Sequence, residues 1–291
     1  RIIVGPWPHA LNAFRDCGEL AYGDDAIDYD FDTRTIRWFD RYLKGVQNGE
    51  DEKPRATYYL GGAGANEWRT SDDWNPPECE LVELYLDSGG QANSMHGNGR
   101  LLTAPEPGGA FDTYVYDPAN VASGDGQFLP SVLNELQSRQ DYLVYDSAVL
   151  PENVAVAGNL SARFFAASSA VDTDFFVTVS DVDEQGVARK VSTNGVRAEF
   201  RNWPAVESAL LEPGSVEEYE LHLHFAGHVF QAGHRIRLDI CSADYMTVFP
   251  NTNTGVDPYT DPAPVVARQQ VHHGAKWPSC VRLPVLYGKV P

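Results

Sequence analysis

From residue 76 onward the chain keeps returning to one pattern: short runs that alternate apolar and polar residues, each closed by Gly, Pro, Asp or Asn. CELVELYLDS, DTYVYD, DYLVYDS, NLSARFFAAS, TDFFVTVSDV, YELHLHFAGHVF and HRIRLDICS all have this texture. A two-residue period turns one face of a strand toward a core and the other toward water, and the turn residues between runs punctuate the chain. No segment repeats at a fixed period and no tract is of low complexity, which disfavours solenoids and propellers. The pattern therefore predicts a mainly β domain over residues 76–291, a two-sheet sandwich or a jelly roll, and spacing alone leaves both open.

Residues 1–75 read differently. RIIVG is a short apolar run closed by Gly5-Pro6, as expected of a buried strand that ends in a loop. From Asp32, DTRTIRWFDRYLKG places Ile36, Phe39 and Leu43 at helical spacing, with Asp32 or Thr33 as cap and Gly45 past the end. Polar VQNGEDEKP at 46–54 predicts a loop, and ATYYLGG at 56–62 a second strand. A single apolar strand followed by a helix implies a sheet that it joins. The chain opens on Arg1 without an initiator Met, and this start inside a strand is read as that of the back half of a longer protein.

The charge balance bears on partners. Of 291 residues, 41 are Asp or Glu and 22 are Lys or Arg, a net charge of −19, which repels phosphate backbones and anionic membrane surfaces. With only 5 Lys beside 17 Arg, the acidity also fits adaptation to salt, although a coding bias would yield the same Arg preference. Hydrophobic residues at 43% are enough for a folded core. No apolar run is long enough to span a bilayer and the start lacks a secretory signal, so the expected location is cytoplasmic. Cys17, Cys79, Cys241 and Cys280 are far apart, without the spacing of a zinc site or a disulfide framework, and are expected to be free thiols.

Four groups of residues invite a chemical reading. His9 follows the first strand in the string GPWPH, and in open α/β sheets reactive side chains gather beyond the carboxyl ends of strands. His222, His224, His228 and His234 include an H-x-H pair that would share a strand face, but the alternation Tyr219, Leu221, Leu223, Phe225 takes the apolar face. The two histidines are thus left on the solvated one, and no metal is expected. Asp172, Asp174, Asp181 and Asp183 could suggest calcium; turn and strand-edge hydrogen bonds are preferred, with Phe175, Val177 and Val179 facing the core and DVD leading into a Glu184-Gln185-Gly186 hairpin turn. The six tryptophans could suggest a sugar-binding platform, but Trp38 sits on the helix, Trp68 lies beside the domain junction, and Trp203 and Trp277, which fall in the β domain, are read as packing residues; Trp7, two residues before His9, is placed near an active-site mouth as a substrate contact.

RIIVGPWPH, TIRWFDRYLKG, Gly61-Gly62, Asn66-Glu67-Trp68-Arg69, SSAVDTDFFVTVSDVDEQG, AGHVFQAGHRIRLDI and NTNTG, in that order, closely resemble the C-terminal portion of the cocaine esterase-like hydrolases. These are also called the CocE/NonD or X-Pro dipeptidyl-peptidase-like family. The resemblance spans nearly the whole chain and is weakest over 90–140. It implies a serine hydrolase with an α/β-hydrolase domain, here the last strand, His loop and helix within 1–75, followed by a jelly-roll, galactose-binding-like domain over 76–291. His9 would be the triad base, taking a proton from a serine attacking an ester, acyl-amide or X-Pro peptide carbonyl.

No Ser in the sequence has Gly both two before and two after it, so the G-x-S-x-G nucleophile elbow is absent. Nucleophile, triad acid and oxyanion donors are expected upstream, and the chain alone is expected to be inactive. Its implied partners are an N-terminal hydrolase portion and a small ester, amide or peptide, with homo-oligomerisation open through any uncovered apolar patch. Side-chain chemistry of this kind implies no cofactor. The competing reading is a stand-alone β-sandwich module that binds carbohydrate or protein, for which residues 1–62 have no use.

Overall fold

The structure is a computed structural model that describes residues 1–7, 15–17, 20–121, 132–202, 204, 207–244, 247–257, 259–260 and 263–291. The N-terminal part begins with β1 (Ile2–Val4), the two-residue strands β2 (Asp16–Cys17) and β3 (Leu20–Ala21), and a 3-10 turn at Asp24–Ala26. Helix α1 (Phe31–Lys44), β4 (Ala56–Leu60) and β5 (Glu67–Ser71) follow. β1 runs parallel to β4, which pairs antiparallel with β5, so β1 is an edge of this three-stranded sheet.

The predicted helix is present but begins two or three residues earlier. Its cap is Asp30 rather than Asp32 or Thr33, with no side-chain cap bond; instead Asp28 accepts the Asp30 N–H at 3.1 Å. Gly45 closes it in the left-handed region at φ 72°, which a residue without a Cβ adopts at no steric cost. The apolar stripe is where the structure departs from an ordinary amphipathic helix: α1 has no buried residue, and Ile36, Phe39 and Leu43 are 61%, 51% and 76% exposed.

Beyond Trp74 the strands are β6 (Glu80–Asp87), β7 (Gly99–Leu102), β8 (Ala110–Tyr116), β9 (Leu143–Asp146), β10 (Val154–Ser168), β11 (Asp174–Val182), β12 (Ala188–Arg197), β13 (Glu217–Phe230), β14 (Arg235–Cys241), β15 (Ala267–His273) and β16 (Cys280–Tyr287). A short α2 (Asn134–Gln137) precedes β9. All seven alternating runs are strands. β7, β12, β15 and β16 did not stand out in the sequence; β16 carries Pro284 and β12 the polar stretch STNG, both poor strand signals.

These strands hydrogen-bond along one mixed path, β12-β11-β14-β9-β7-β6-β16-β10-β15-β8, with β13 attached to β10, rather than as two separate sheets. The path folds over one main core. Phe164 of β10, Phe175 of β11 and Tyr219 of β13 meet there at 5.0–5.7 Å between ring centroids, so β11 faces β10 and β13 as in a sandwich. Phe175, Val177 and Val179 are fully buried as the alternation requires, and His222 and His224 are exposed. A bulge opposite Asn159–Ser161 shifts the pairing of β10 with β13, so the phase changes before His228.

The two parts are joined backbone to backbone. Gly61 donates its N–H to Gly227 O at 3.1 Å and accepts from Val229 N at 2.8 Å, while Tyr58, Leu60, Ala155, Ala157 and Val229 form a second small core beneath. Cys79 lies beside it and donates to Ala157 O; burial pushes its thiol up to about 11, so it stays protonated and unreactive. Among the described residues Cys79, Cys241 and Cys280 are free thiols.

Candidate functional site

At the carboxyl ends of β1 and β4 the chain builds an aromatic corner. After Val4 the backbone turns at Gly5-Pro6, and the Trp7 indole folds back over Gly5, where a Cβ would collide with the ring. Trp7 donates its indole N–H to Ala26 O at 2.6 Å, and Trp68, at the start of β5, donates to Asp25 O at 2.6 Å. Tyr59 of β4 donates its hydroxyl to Tyr22 O at 2.7 Å, and the Tyr22 ring rests against Gly61. The rings pack on one another as well: Trp7 on Trp68 at 5.6 Å, Tyr59 on Trp68 at 5.3 Å and Tyr22 on Tyr59 at 5.9 Å.

Beside this corner opens a cleft of about 370 Å³ lined by Asp24, Asp25, Asp28, Asp30, Glu67 and Trp68, with Ile27, Tyr29, Arg34 and Asn66 completing it. Arg34 reaches Asp28 at 3.4 Å and Arg15 reaches Asp24 at 2.8 Å, so the acidic lining is only partly compensated. The cleft lies where the strand-end rule puts reactive groups, and Trp7 stands two residues before His9 in the sequence. His9 itself, like Trp203, lies outside the described residues.

The motif aspartates and histidines resolve into internal ties. Asp181 of β11 takes the His228 Nε2 on one carboxylate oxygen at 2.9 Å and the His234 Nδ1 on the other at 2.8 Å. Their shared partner was not legible in the sequence, because it lies about fifty residues away in the chain. Asp172 and Asp174, 2% exposed, share the side-chain amide of Asn251 at 2.7 and 2.8 Å, and Arg197 donates to Asp174 at 3.0 Å. Burial raises both carboxyls above the ordinary range, against the hydrogen bonds from Asn251 and Arg197. DTDF and NTNTG are thus two halves of one knot. Asp183 caps the expected hairpin turn, accepting from Gln185 N and Val187 N.

One trio was missed in the sequence. Ser88, Asp112 and His273 converge in the β domain, with the Ser88 hydroxyl 2.7 Å from both Asp112 oxygens and 3.3 Å from His273 Nε2. This is not a nucleophile with its base. The hydroxyl proton goes to the carboxylate, the Ser88 oxygen accepts from Gly90 N at 2.9 Å, and the imidazole does not lie between acid and serine. Asp112 also accepts from Ala92 N at 3.1 Å and Tyr145 OH at 3.0 Å and pairs with His273 Nε2 at 3.3 Å, so with Ser88 it is a four-way structural acceptor.

Residues 48–282 match the family model of the X-Pro dipeptidyl-peptidase C-terminal non-catalytic domain. The chain belongs to this family. The cocaine esterase of Rhodococcus sp. (strain MB1 Bresler) is 32% identical over 98% of the chain and 51% of its own length. Among solved structures, an aminopeptidase from a marine sediment Thaumarchaeota archaeon superposes with a TM-score of 0.82 at 27% identity, over 98% of this chain and 49% of that one. An α-amino acid ester hydrolase superposes at 0.79 and 24% identity over 97% and 49%, a likeness of fold. The chain thus spans about half the length of these relatives, and it aligns with the non-catalytic C-terminal domain of an esterase and peptidase family. The match starts at residue 48, so it takes in β4 and β5 as well as the β-sandwich. Among the described residues no helix is long and apolar enough to cross a membrane.

Proposed function

We propose that this chain works as the C-terminal half of a serine acyl hydrolase, with His9 as the general base and with the nucleophile, acid and oxyanion donors on an N-terminal half. Residues 1–75 then complete an α/β-hydrolase domain, and residues 76–291 form a jelly-roll lobe that walls the substrate cleft. One observation carries this reading: among the described residues β1 is a parallel strand with an open edge, its carboxyl end leads to Trp7, two residues before His9 in the sequence, and the α1 apolar stripe is uncovered. Parallel strands are buried on both faces in α/β proteins, so β1 and α1 are suited to a larger sheet. A stand-alone binding module would leave that edge and stripe bare.

In this reading His9 takes the proton of the attacking serine and returns it to the leaving alcohol or amine. Substrates are esters, acyl-amides or X-Pro peptides. The acidic, aromatic cleft beside Trp7 disfavours anionic ones through its unbalanced carboxylates. No cofactor enters the chemistry. The test is reconstitution: joined to an N-terminal half bearing G-x-S-x-G, the protein should hydrolyse an activated ester, and His9→Ala should abolish turnover while leaving the melting temperature nearly unchanged. The chain alone should not react with a fluorophosphonate, and stoichiometric labelling of a single serine would overturn the assignment of the nucleophile to the other half.

A further inference from the structure

Three neighbouring strands of the β domain set a row of rings on its outer face. His272 of β15 stands directly opposite Phe111 of β8 on one side and Phe165 of β10 on the other. Side chains alternate along a strand, and the adjacent Phe164 and Val271 lie in the core, so the row points away from it. Two strand spacings make it about 10 Å long. Phe111 packs on His272 at 5.3 Å between ring centroids, and Trp277, from the turn after β15, closes on Phe165 at 5.4 Å and His272 at 5.8 Å. The backbone fixes this arrangement. The Ser279 hydroxyl accepts the Phe165 N–H at 3.0 Å and donates to His272 O at 2.6 Å, while Ala275 N and Lys276 N donate to Glu106 O and Gly108 O at 2.7 and 2.8 Å.

Packing leaves polar atoms of the row unused. His272 is 9% exposed, and its Nε2 is buried without a hydrogen-bond partner. The Trp277 indole N–H makes no hydrogen bond among the described residues, whereas Trp7 and Trp68 both spend theirs on backbone carbonyls. Burial, with His273 and Lys276 nearby, holds the His272 imidazole below the ordinary histidine range, so it is neutral at pH 7. The Lys276 ammonium lies over the Trp277 ring at 5.0 Å, on an exposed and flexible stem that can swing aside. We infer that Phe111, Phe165, His272 and Trp277 form a binding platform for a neutral glycan, two or three hexose rings laid along the row in place of Lys276. Aromatic faces are negative and attract the C–H face of a sugar ring. A hydroxyl both donates and accepts, so it satisfies Nε2 in either tautomer and also accepts the indole N–H; a peptide carbonyl only accepts, and an apolar ligand does neither. The net charge of −19 disfavours an anionic ligand. Trp277, expected from the sequence only to pack, thereby gains a second task. The platform is separate from the joint with residues 1–75, which covers Ala155 and Ala157 of β10, because Phe165 lies eight residues beyond Ala157, roughly 26 Å along the strand.

The experiment titrates the full chain with maltotriose, cellotriose and lactose in a calorimeter, up to about 20 mM. At least one sugar should bind with a Kd on the order of 1 mM, as suits an open platform. Phe111→Thr and Trp277→Ala should each weaken that binding by about tenfold or more, and His272→Phe, which keeps a ring but removes both nitrogens, by about threefold or more. Circular dichroism melting curves show that each variant is folded. Phe111, 47% exposed on an edge strand, is the substitution that decides should the others unfold. No binding of any of the three sugars, or binding that survives the substitutions in folded protein, would overturn the platform. Binding of a proline-rich peptide in place of the sugars, lost in the same variants, would overturn the sugar as its ligand.

Discussion

Single carboxylates in this protein have opposite fates that neighbouring groups decide. Burial alone would raise the Asp112 carboxyl, but hydrogen bonds from His273, Ser88 and Ala92 hold it below the ordinary range. A carboxylate whose folded value is depressed contributes stability above the unfolded value, and that contribution is lost as pH falls through the folded one, here below about pH 4. Asp112→Ala should therefore cost about 3 kcal/mol at pH 7 in urea unfolding, because it orphans several buried donors. The deficit should shrink in acid. Asp239 behaves in the reverse sense. Burial is the dominant cause that raises it to about 7, against the Gln137 amide donating at 2.8 Å and the nearby Arg237. Between about pH 4 and pH 7 the folded chain holds a proton there that the unfolded chain has released, so this group makes stability fall as pH rises. Asp239→Asn should flatten that slope and stabilise the protein by roughly 2–4 kcal/mol at pH 8, measured by denaturant titrations across pH.

At the scale of the element, α1 shows what local pattern can and cannot say. Its apolar spacing and Gly45 cap were legible in the sequence because both are set within a few residues. That the stripe stays bare was not, since burial depends on what the fold brings against it. Replacing Ile36, Phe39 and Leu43 with Gln should leave the melting temperature of the isolated chain within about 2 °C, as expected for exposed sites. The same changes should abolish assembly with an N-terminal half, read by co-purification, and reduce any self-association seen by sedimentation. The long strands tell a similar story. β11 could be read residue by residue from TDFFVTVSDV, yet β12 beside it, with STNG in its middle, becomes a strand because β11 supplies its hydrogen-bond partners from Asp174 to Val182.

For the whole molecule the net charge of −19 sets the response to solvent. Arg and Lys are largely taken up by paired acids, such as Arg237 with Asp146 at 2.6 Å and Arg139 with Asp141 at 2.7 Å, so the excess acids repel one another across the surface. Raising salt from about 0.05 M to 1 M shortens the screening length to roughly 3 Å and should raise the melting temperature by several degrees, whereas a charge-balanced domain would move little. A fall on adding salt would show that the ion pairs outweigh the repulsion. The sequence by itself determined that the chain is mostly β, that a helix precedes its main run of strands, and to which hydrolase family it belongs. Those features rest on short-range periodicity and on strings of adjacent residues. Only the tertiary structure decided that Asp181 serves two histidines, that DTDF closes on NTNTG, and that three aromatic donors converge on Tyr22–Ala26. Each of those contacts joins residues tens of positions apart, and strand order, which no local pattern encodes, determines which of them meet.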